Sequence, residues 1–325
     1  MRPVFPEGPT AQHPRIRPFG AVKTPGSPPT VVSGPVRRRG ARRRARLSHT
    51  FPAARRAAFV LAACAGCVAP AAAAPIETRA AYSVTLLGLP LARADLVLVV
   101  EGGAYRARID WRTVGLARLV ASTHGEVTAE GRLAAGRPVP RRYGLTVAGG
   151  RKPAAVTLTL ADGRVVTAEV EPPIRPRPEV VPLTEAHRRG VVDPLGAALV
   201  PTDGAGACAR TLPIFDGWTR YDVTLTAKPG PATRPDGFAG ATATCAVRWI
   251  PIAGHRTDLP NVRRMADNRD IELTLGRLDR VDLSIPVQAS AATPFGTAVL
   301  TLDSLTTSPA APATPARSRR GERRD

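Results

Sequence analysis

Tyr105-Arg106-Ala107-Arg108-Ile109-Asp110-Trp111-Arg112 alternates residue by residue between apolar and charged side chains. In an extended chain successive side chains point to opposite faces, so this stretch reads as a strand with one dry and one wet face. A half-solvated strand belongs to an antiparallel sheet, because parallel sheets are covered on both sides. The rhythm continues with Val156, Leu158 and Leu160 against Thr157 and Thr159, then Val166, Ala168 and Val170 against Thr167, Glu169 and Glu171. It returns at Val223 and Leu225 between Asp222, Thr224 and Thr226, at Ile271, Leu273 and Leu275, and at Val281, Leu283, Ile285 and Val287. A last strand is expected from about Thr297 to Leu302, and residues 96–100, apolar on both faces, are placed centrally.

Turn chemistry separates these runs: Gly88-Leu89-Pro90, Gly102-Gly103, Gly149-Gly150 and Asp162-Gly163. The Gly-Gly and Asp-Gly pairs supply the positive φ that tight hairpins need. About a dozen strands at such spacing predict a mainly β fold, an antiparallel curved sheet or partly open β-barrel. It is expected as a single domain over 76–308. Residues 171–182 hold five prolines, so they cannot form a central strand and read as a crossover between two β halves. One short helical patch is expected in this middle connection, over 184–199. Asp193-Pro194 supplies an N-cap followed by proline at the first helical position, and Pro201 and Gly204 end it.

The chain has 325 residues and a net charge of +20, unevenly spread. Residues 1–75 carry a net of +12 and residues 309–325 a net of +3, leaving +5 for the expected β domain. A basic balance ordinarily points to nucleic acid, but here the excess lies outside the folded body, so no nucleic-acid partner is expected. Residues 1–54 are rich in Arg, Pro and Gly with no hydrophobic periodicity, and are expected to be a disordered leader. Residues 55–74 have the order of a signal peptide: Arg55-Arg56, an apolar run over 57–69, then Ala71 to the small residues Ala73 and Ala74. Cleavage is expected between Ala73 and Ala74. A leader this long is unusual ahead of a signal peptide, and a start downstream of it is the alternative. Leu61-Ala62-Ala63-Cys64 also fits a lipoprotein box in which Cys64 would be lipidated. The run is shorter than the ~20 apolar residues of a membrane-spanning helix. The expected address is therefore the periplasm, with secretion or a lipid anchor as alternatives, and with membrane contact only transient through the signal peptide unless Cys64 is modified. Cys208 and Cys245, the two cysteines outside the signal region, fit a disulfide in an oxidising compartment. The tail over 309–325, rich in Pro, Ala and Arg, is expected to be disordered.

Several segments together resemble the bacterial family catalogued as domain of unknown function 3108 (DUF3108). They are Tyr82 to Gly88 with Leu91 to Asp95, His187-Arg188-Arg189-Gly190-Val191-Val192-Asp193-Pro194-Leu195, and Cys208 with Thr211 to Tyr221. Cys245, Ile252-Ala253-Gly254-His255-Arg256 and Thr293-Pro294-Phe295-Gly296-Thr297-Ala298 complete the likeness, which covers nearly all of 78–305. The resemblance implies a secreted or periplasmic β-rich protein and brings no activity and no catalytic residues.

No catalytic signature stands out. His124, His187 and His255 lack ligand spacing, so no metal is expected. No G-x-S-x-G elbow exists, Gly204-Ala205-Gly206 reads as a turn, and no cofactor is implied. The candidate binding residues are Asp216, Trp218, Arg220, Tyr221 and His255, because Trp and Arg anchor many binding sites. The structural alternative is a turn at Asp216-Gly217, with Tyr221 packed inward and Arg220 paired to a carboxylate. The expected function is a non-catalytic envelope module whose concave apolar face binds a hydrophobic or amphipathic ligand, lipid included, or an envelope protein. A periplasmic hydrolase using Asp, His and Arg groups within 187–222, with Asp193, Asp216 and His187 converging, is the alternative.

Overall fold

The computed structural model describes residues 74–310 except 151, 203 and 231–233, and their strands run in order around one sheet. The leader, Cys64, Cys67, Ala73 and residues 311–325 lie outside the described residues. The first half is a meander: β1 (Ile76–Leu86), β2 (Leu89–Glu101), β3 (Ala104–Thr113), β4 (Thr123–Ala134), β5 (Arg137–Gly149), β6 (Ala154–Ala161) and β7 (Arg164–Glu171). After the crossover come β8 (Val200–Pro201), β9 (Arg210–Phe215), β10 (Arg220–Ala227), β11 (Thr242–Ala253), β12 (Ile271–Arg277), β13 (Leu283–Thr293) and β14 (Gly296–Pro309). β14 pairs with β1, which joins the halves into one 14-stranded antiparallel sheet with β7 and β9 at its edges.

The deciding stretch lies in β3 as its alternation demands. Tyr105 and Ala107 are buried, while Arg106, Arg108, Asp110 and Arg112 are exposed. The wet face carries ion pairs such as Arg108–Glu126 and Arg142–Glu130, at 2.8 and 3.3 Å. Exposed pairs of this kind add little stability but keep the face soluble.

The sheet is not closed, and the crossover fills the gap. Val191 N–H donates to the Gly163 carbonyl at 2.9 Å, beyond the β7 edge. Val192 N–H donates to Pro213 O and Phe215 N–H to Val192 O, at 2.9 and 3.0 Å, along β9. From there α2 (Pro194–Ala198) turns inward. Val191, Leu195 and Leu199 join the buried cluster with Leu98, Tyr105, Tyr143, Leu158 and Phe215. Beside β8, a second cluster surrounds the Cys208–Cys245 disulfide with Val200, Leu225, Val247, Ile271 and Leu275.

Three features differ from the sequence reading. Helical segments also interrupt the hairpins, α1 (Ala117–Val120) between β3 and β4 and α3 (Pro260–Asp267) between β11 and β12, beyond the single one expected. Pro260 at the first helical position of α3 is a start signal of the same kind as Pro194 in α2. β14 extends to Pro309 and pairs with β1 as far as Ile76, so its last residues, expected near the start of a disordered tail, are strand. The sequence reading names no strand over residues 123–149, which form β4 and β5, and β5 contains Pro138 and Pro140. Pro140 is accommodated because the β4–β5 register shifts beside it, opposite Gly131, where any side chain would collide with the Val139 carbonyl and the Tyr105 ring.

Candidate functional site

Asp216 to Thr219 form the β9–β10 turn. Asp216 accepts from Trp218 N–H (2.9 Å) and Thr219 N–H (2.6 Å) through Oδ1 and from the Thr219 hydroxyl (2.7 Å) through Oδ2. Both oxygens are occupied by their own turn, so this carboxylate shapes backbone rather than reaching for a ligand. Arg220 pairs with Asp222, Nη1 to Oδ1 at 2.7 Å, in a largely enclosed position. Tyr221, Trp249 and His255 form an aromatic group with ring centroids 4.8 to 6.2 Å apart. Burial holds the His255 imidazole below its usual pKa, against the opposing pull of Asp216 and an Arg220 backbone hydrogen bond. His255 Nε2 has no hydrogen-bond partner among the described residues.

Trp218 is the candidate that faces open space. Its indole N–H donates to Pro172 O at 3.0 Å, which fixes the ring against the proline segment that follows β7. Gly254, at φ +79°, lets the end of β11 meet this turn, since a side chain there would strike the Trp218 carbonyl. The proline segment is tied to the same place: Gly254 N–H donates to Val181 O at 2.8 Å and Val181 N–H to His255 O at 3.4 Å. Between them lies a groove of about 700 Å3. Ile174, Val180, Leu183 and Trp218 make its apolar part, and Arg175, Arg177, Arg188 and Arg256 supply guanidinium groups. Arg188 approaches Glu185 at 3.7 Å and Arg256 approaches Asp258 at 2.7 Å.

The acid–base set does not assemble. His187 is spent on a local cap, its Nδ1 accepting from Thr184 N–H at 3.1 Å. Asp193 caps α2, with Oδ1 accepting from Gly196 N–H at 2.7 Å, and no hydrogen bond links Asp193, Asp216 and His187 among the described residues. Among those residues no cluster of three or more His, Cys, Asp or Glu is grouped for a metal ion. The concave face expected to hold the ligand is packed instead by Val191, Leu195 and Leu199 of the crossover.

Asp193 and Tyr105 form a buried polar node that the sequence did not reveal as such, because a residue 88 positions away in the chain supplies half of it. Asp193 Oδ2 and Tyr105 Oη lack hydrogen-bond partners among the described residues, and both line the space where a Gly196 side chain would sit. Burial raises the Asp193 carboxyl to about 6, opposed by backbone N–H groups of Gly196 and Leu195. A carboxyl whose pKa rises on folding favours the protonated native state, so its contribution is present at low pH and is lost as pH climbs from about 4 through 6. Asp193→Asn, which keeps the capping oxygen, is therefore expected to gain roughly 2 to 3 kcal/mol on the wild type between pH 4 and pH 8. Urea unfolding of both proteins across that range checks this; parallel pH profiles would contradict it.

The sequence over residues 81–303 matches the family described as "Protein of unknown function (DUF3108)". A solved structure similar to this chain is that of a β-barrel-like protein of domain of unknown function DUF1849 from Brucella abortus. The two share 15% identity with a TM-score of 0.43, covering 71% of this chain and 97% of that one. No curated protein matches the sequence.

Proposed function

The chain belongs to the DUF3108 family, and from that footing we propose that it is a non-catalytic envelope module, exported to the periplasm, that binds an anionic amphiphile in the groove beside Trp218. The family carries no activity with it, so the reading rests on the groove. Its supporting observation is an apolar strip of Ile174, Val180, Leu183 and Trp218 flanked by four arginines. Apolar surface takes up a hydrocarbon chain, and guanidinium groups take a carboxylate or phosphate head. The Cys208–Cys245 disulfide suits an oxidising compartment.

Calorimetric titration with a long-chain fatty acid and with the alcohol of equal chain length tests this reading. The acid is expected to bind at least about tenfold more tightly than the alcohol, since charge-assisted hydrogen bonds contribute about 1.5 to 3 kcal/mol each. Trp218→Ala is expected to weaken the acid by about tenfold or more, as loss of a buried aromatic anchor does. Equal binding by wild type and Trp218→Ala, or no binding by either, would remove the groove from consideration.

A further inference from the structure

Antiparallel pairing sends alternate connections to opposite ends of the sheet. The β1–β2, β3–β4, β5–β6, β9–β10, β11–β12 and β13–β14 connections share one end, where β7 also runs into the proline segment. The β2–β3, β4–β5, β6–β7, β10–β11 and β12–β13 connections lie at the other, with residues 74 and 310.

The two ends differ in kind. Eleven large apolar side chains are exposed among the described residues, and nine of them are at the first end. Leu119 and Val120 in α1 are 84% and 91% exposed, Leu116 is 67%, Phe295 at the β13–β14 tip is 75%, and Leu87 at the β1–β2 tip is 70%. None of the eleven lies in the connections of the opposite end. Neighbouring strands bring these tips side by side: Leu87 N–H donates to Thr297 O at 3.3 Å, and Val114 N–H donates to Leu91 O at 2.9 Å. Met265 of α3 is exposed too, beside Arg263 and Arg264.

Charge follows the same division. Among the described residues, 87–88, 114–122, 150, 152–153, 172–188, 216–219, 254–270 and 294–295 hold nine Lys or Arg and six Asp or Glu. At the other end, the described residues 102–103, 135–136, 162–163, 228–230, 234–241 and 278–282 hold three and four.

Leu87 adds a second line of support. It adopts φ +52° in a two-residue turn, a conformation suited to Asn or Gly. Non-glycine positive-φ turns occur at the opposite end as well, at Ala135, Asp162 and Arg280, but none of those places a large apolar side chain in solvent as Leu87 does.

We propose that this end of the sheet docks on the surface of an anionic lipid bilayer, with the apolar tips entering the interface and the basic residues meeting lipid phosphates. The apolar groups sit on separate tips interleaved with Arg and Lys, which matches an interfacial contact rather than one continuous protein-binding patch. The strands themselves stay out of the lipid, because the outward face of β3 to β5 is lined with ion pairs. This contact exceeds the transient one expected of a signal peptide; the groove opens at the same end, and Ile174, Arg175, Arg177, Arg188 and Arg256 belong to both surfaces.

Hydrogen–deuterium exchange on the full chain tests it, because the readout is local and unaffected by what the basic leader does. Vesicles of phosphatidylcholine with phosphatidylglycerol are expected to slow exchange over 114–120 and at the 87–89 and 294–296 tips, but not at 102–103, 135–136 or 162–163. Phosphatidylcholine alone or high salt should abolish the effect. Leu119→Ser with Val120→Ser should remove the protection at the tips, and Arg263→Gln with Arg264→Gln should weaken vesicle affinity by about tenfold. Leu87→Asn, which relieves the strained turn, should fold at least as stably as wild type yet show reduced protection. Trp218→Ala should leave tip protection intact, which separates this contact from amphiphile binding. Protection confined to other segments, or unchanged exchange at the tips, would overturn the proposal and leave a protein partner as the occupant of this end.

Discussion

Phe215→Ala is expected to cost about 3 to 5 kcal/mol of folding free energy, the range for deleting a fully buried aromatic ring. Phe215 ends β9 at 0% exposure and packs in the same cluster as Val191 and Leu195 of the crossover. Its N–H also donates to Val192 O at 3.0 Å, so the ring and the backbone act at the same seam. The loss should exceed that of Val166→Ala on the opposite edge strand, where the side chain is 58% exposed. Urea unfolding followed by circular dichroism measures both. A cost below about 1 kcal/mol for Phe215→Ala would mean that the strap between β7 and β9 is not packed as described.

Breaking the Cys208–Cys245 bond, by paired Cys→Ser substitution or by reduction, is expected to lower stability by about 3 to 4 kcal/mol on the chain-entropy account. The two residues are 37 apart in sequence, with Cα atoms 5.3 Å apart. Cys245 has no exposed surface and Cys208 is 3% exposed, so serine would additionally place two hydroxyls among Val200, Leu225 and Leu275. Paired Cys→Ala avoids those buried hydroxyls and should lose less than paired Cys→Ser. If unfolding of the wild type were indifferent to reductant, the bond would not be present in the folded protein.

Much of the sheet was legible because side-chain alternation is a local signal. β3 and β6 follow directly from Tyr105 to Arg112 and Val156 to Leu160, and β7 from Val166 to Glu171 except at its start, where the β6–β7 register shifts and Val165 rather than Val166 is buried. The Asp193-Pro194 start of α2 was legible for the same reason, since capping needs only neighbouring residues. β5 was not, because Pro138 and Pro140 mimic a break unless the Gly131 register shift on β4 is known. That shift is a property of two strands together. The occupant of the sheet interior was hidden for a similar reason. Val191, Leu195 and Leu199 look like any apolar helix face, and only the topology brings them onto Leu98 and Leu158.

The candidate site divides in the same way. Trp218 was singled out as a potential anchor and does line the groove, whereas Asp216 and Arg220 are taken up by Trp218, Thr219 and Asp222. Arg175, Arg177 and Ile174, which line the groove, lie in the proline segment that reads as a linker. Their grouping depends on the hydrogen bonds between Val181, Gly254 and His255, which no local pattern announces.

Native mass spectrometry of the protein isolated from a Gram-negative periplasm, alongside its Trp218→Ala variant, tests amphiphile binding most directly. The account predicts that wild type carries an added mass of an acidic amphiphile which the folded variant lacks. A bare wild-type mass, with no uptake when the protein is exposed to an envelope lipid extract, would contradict it.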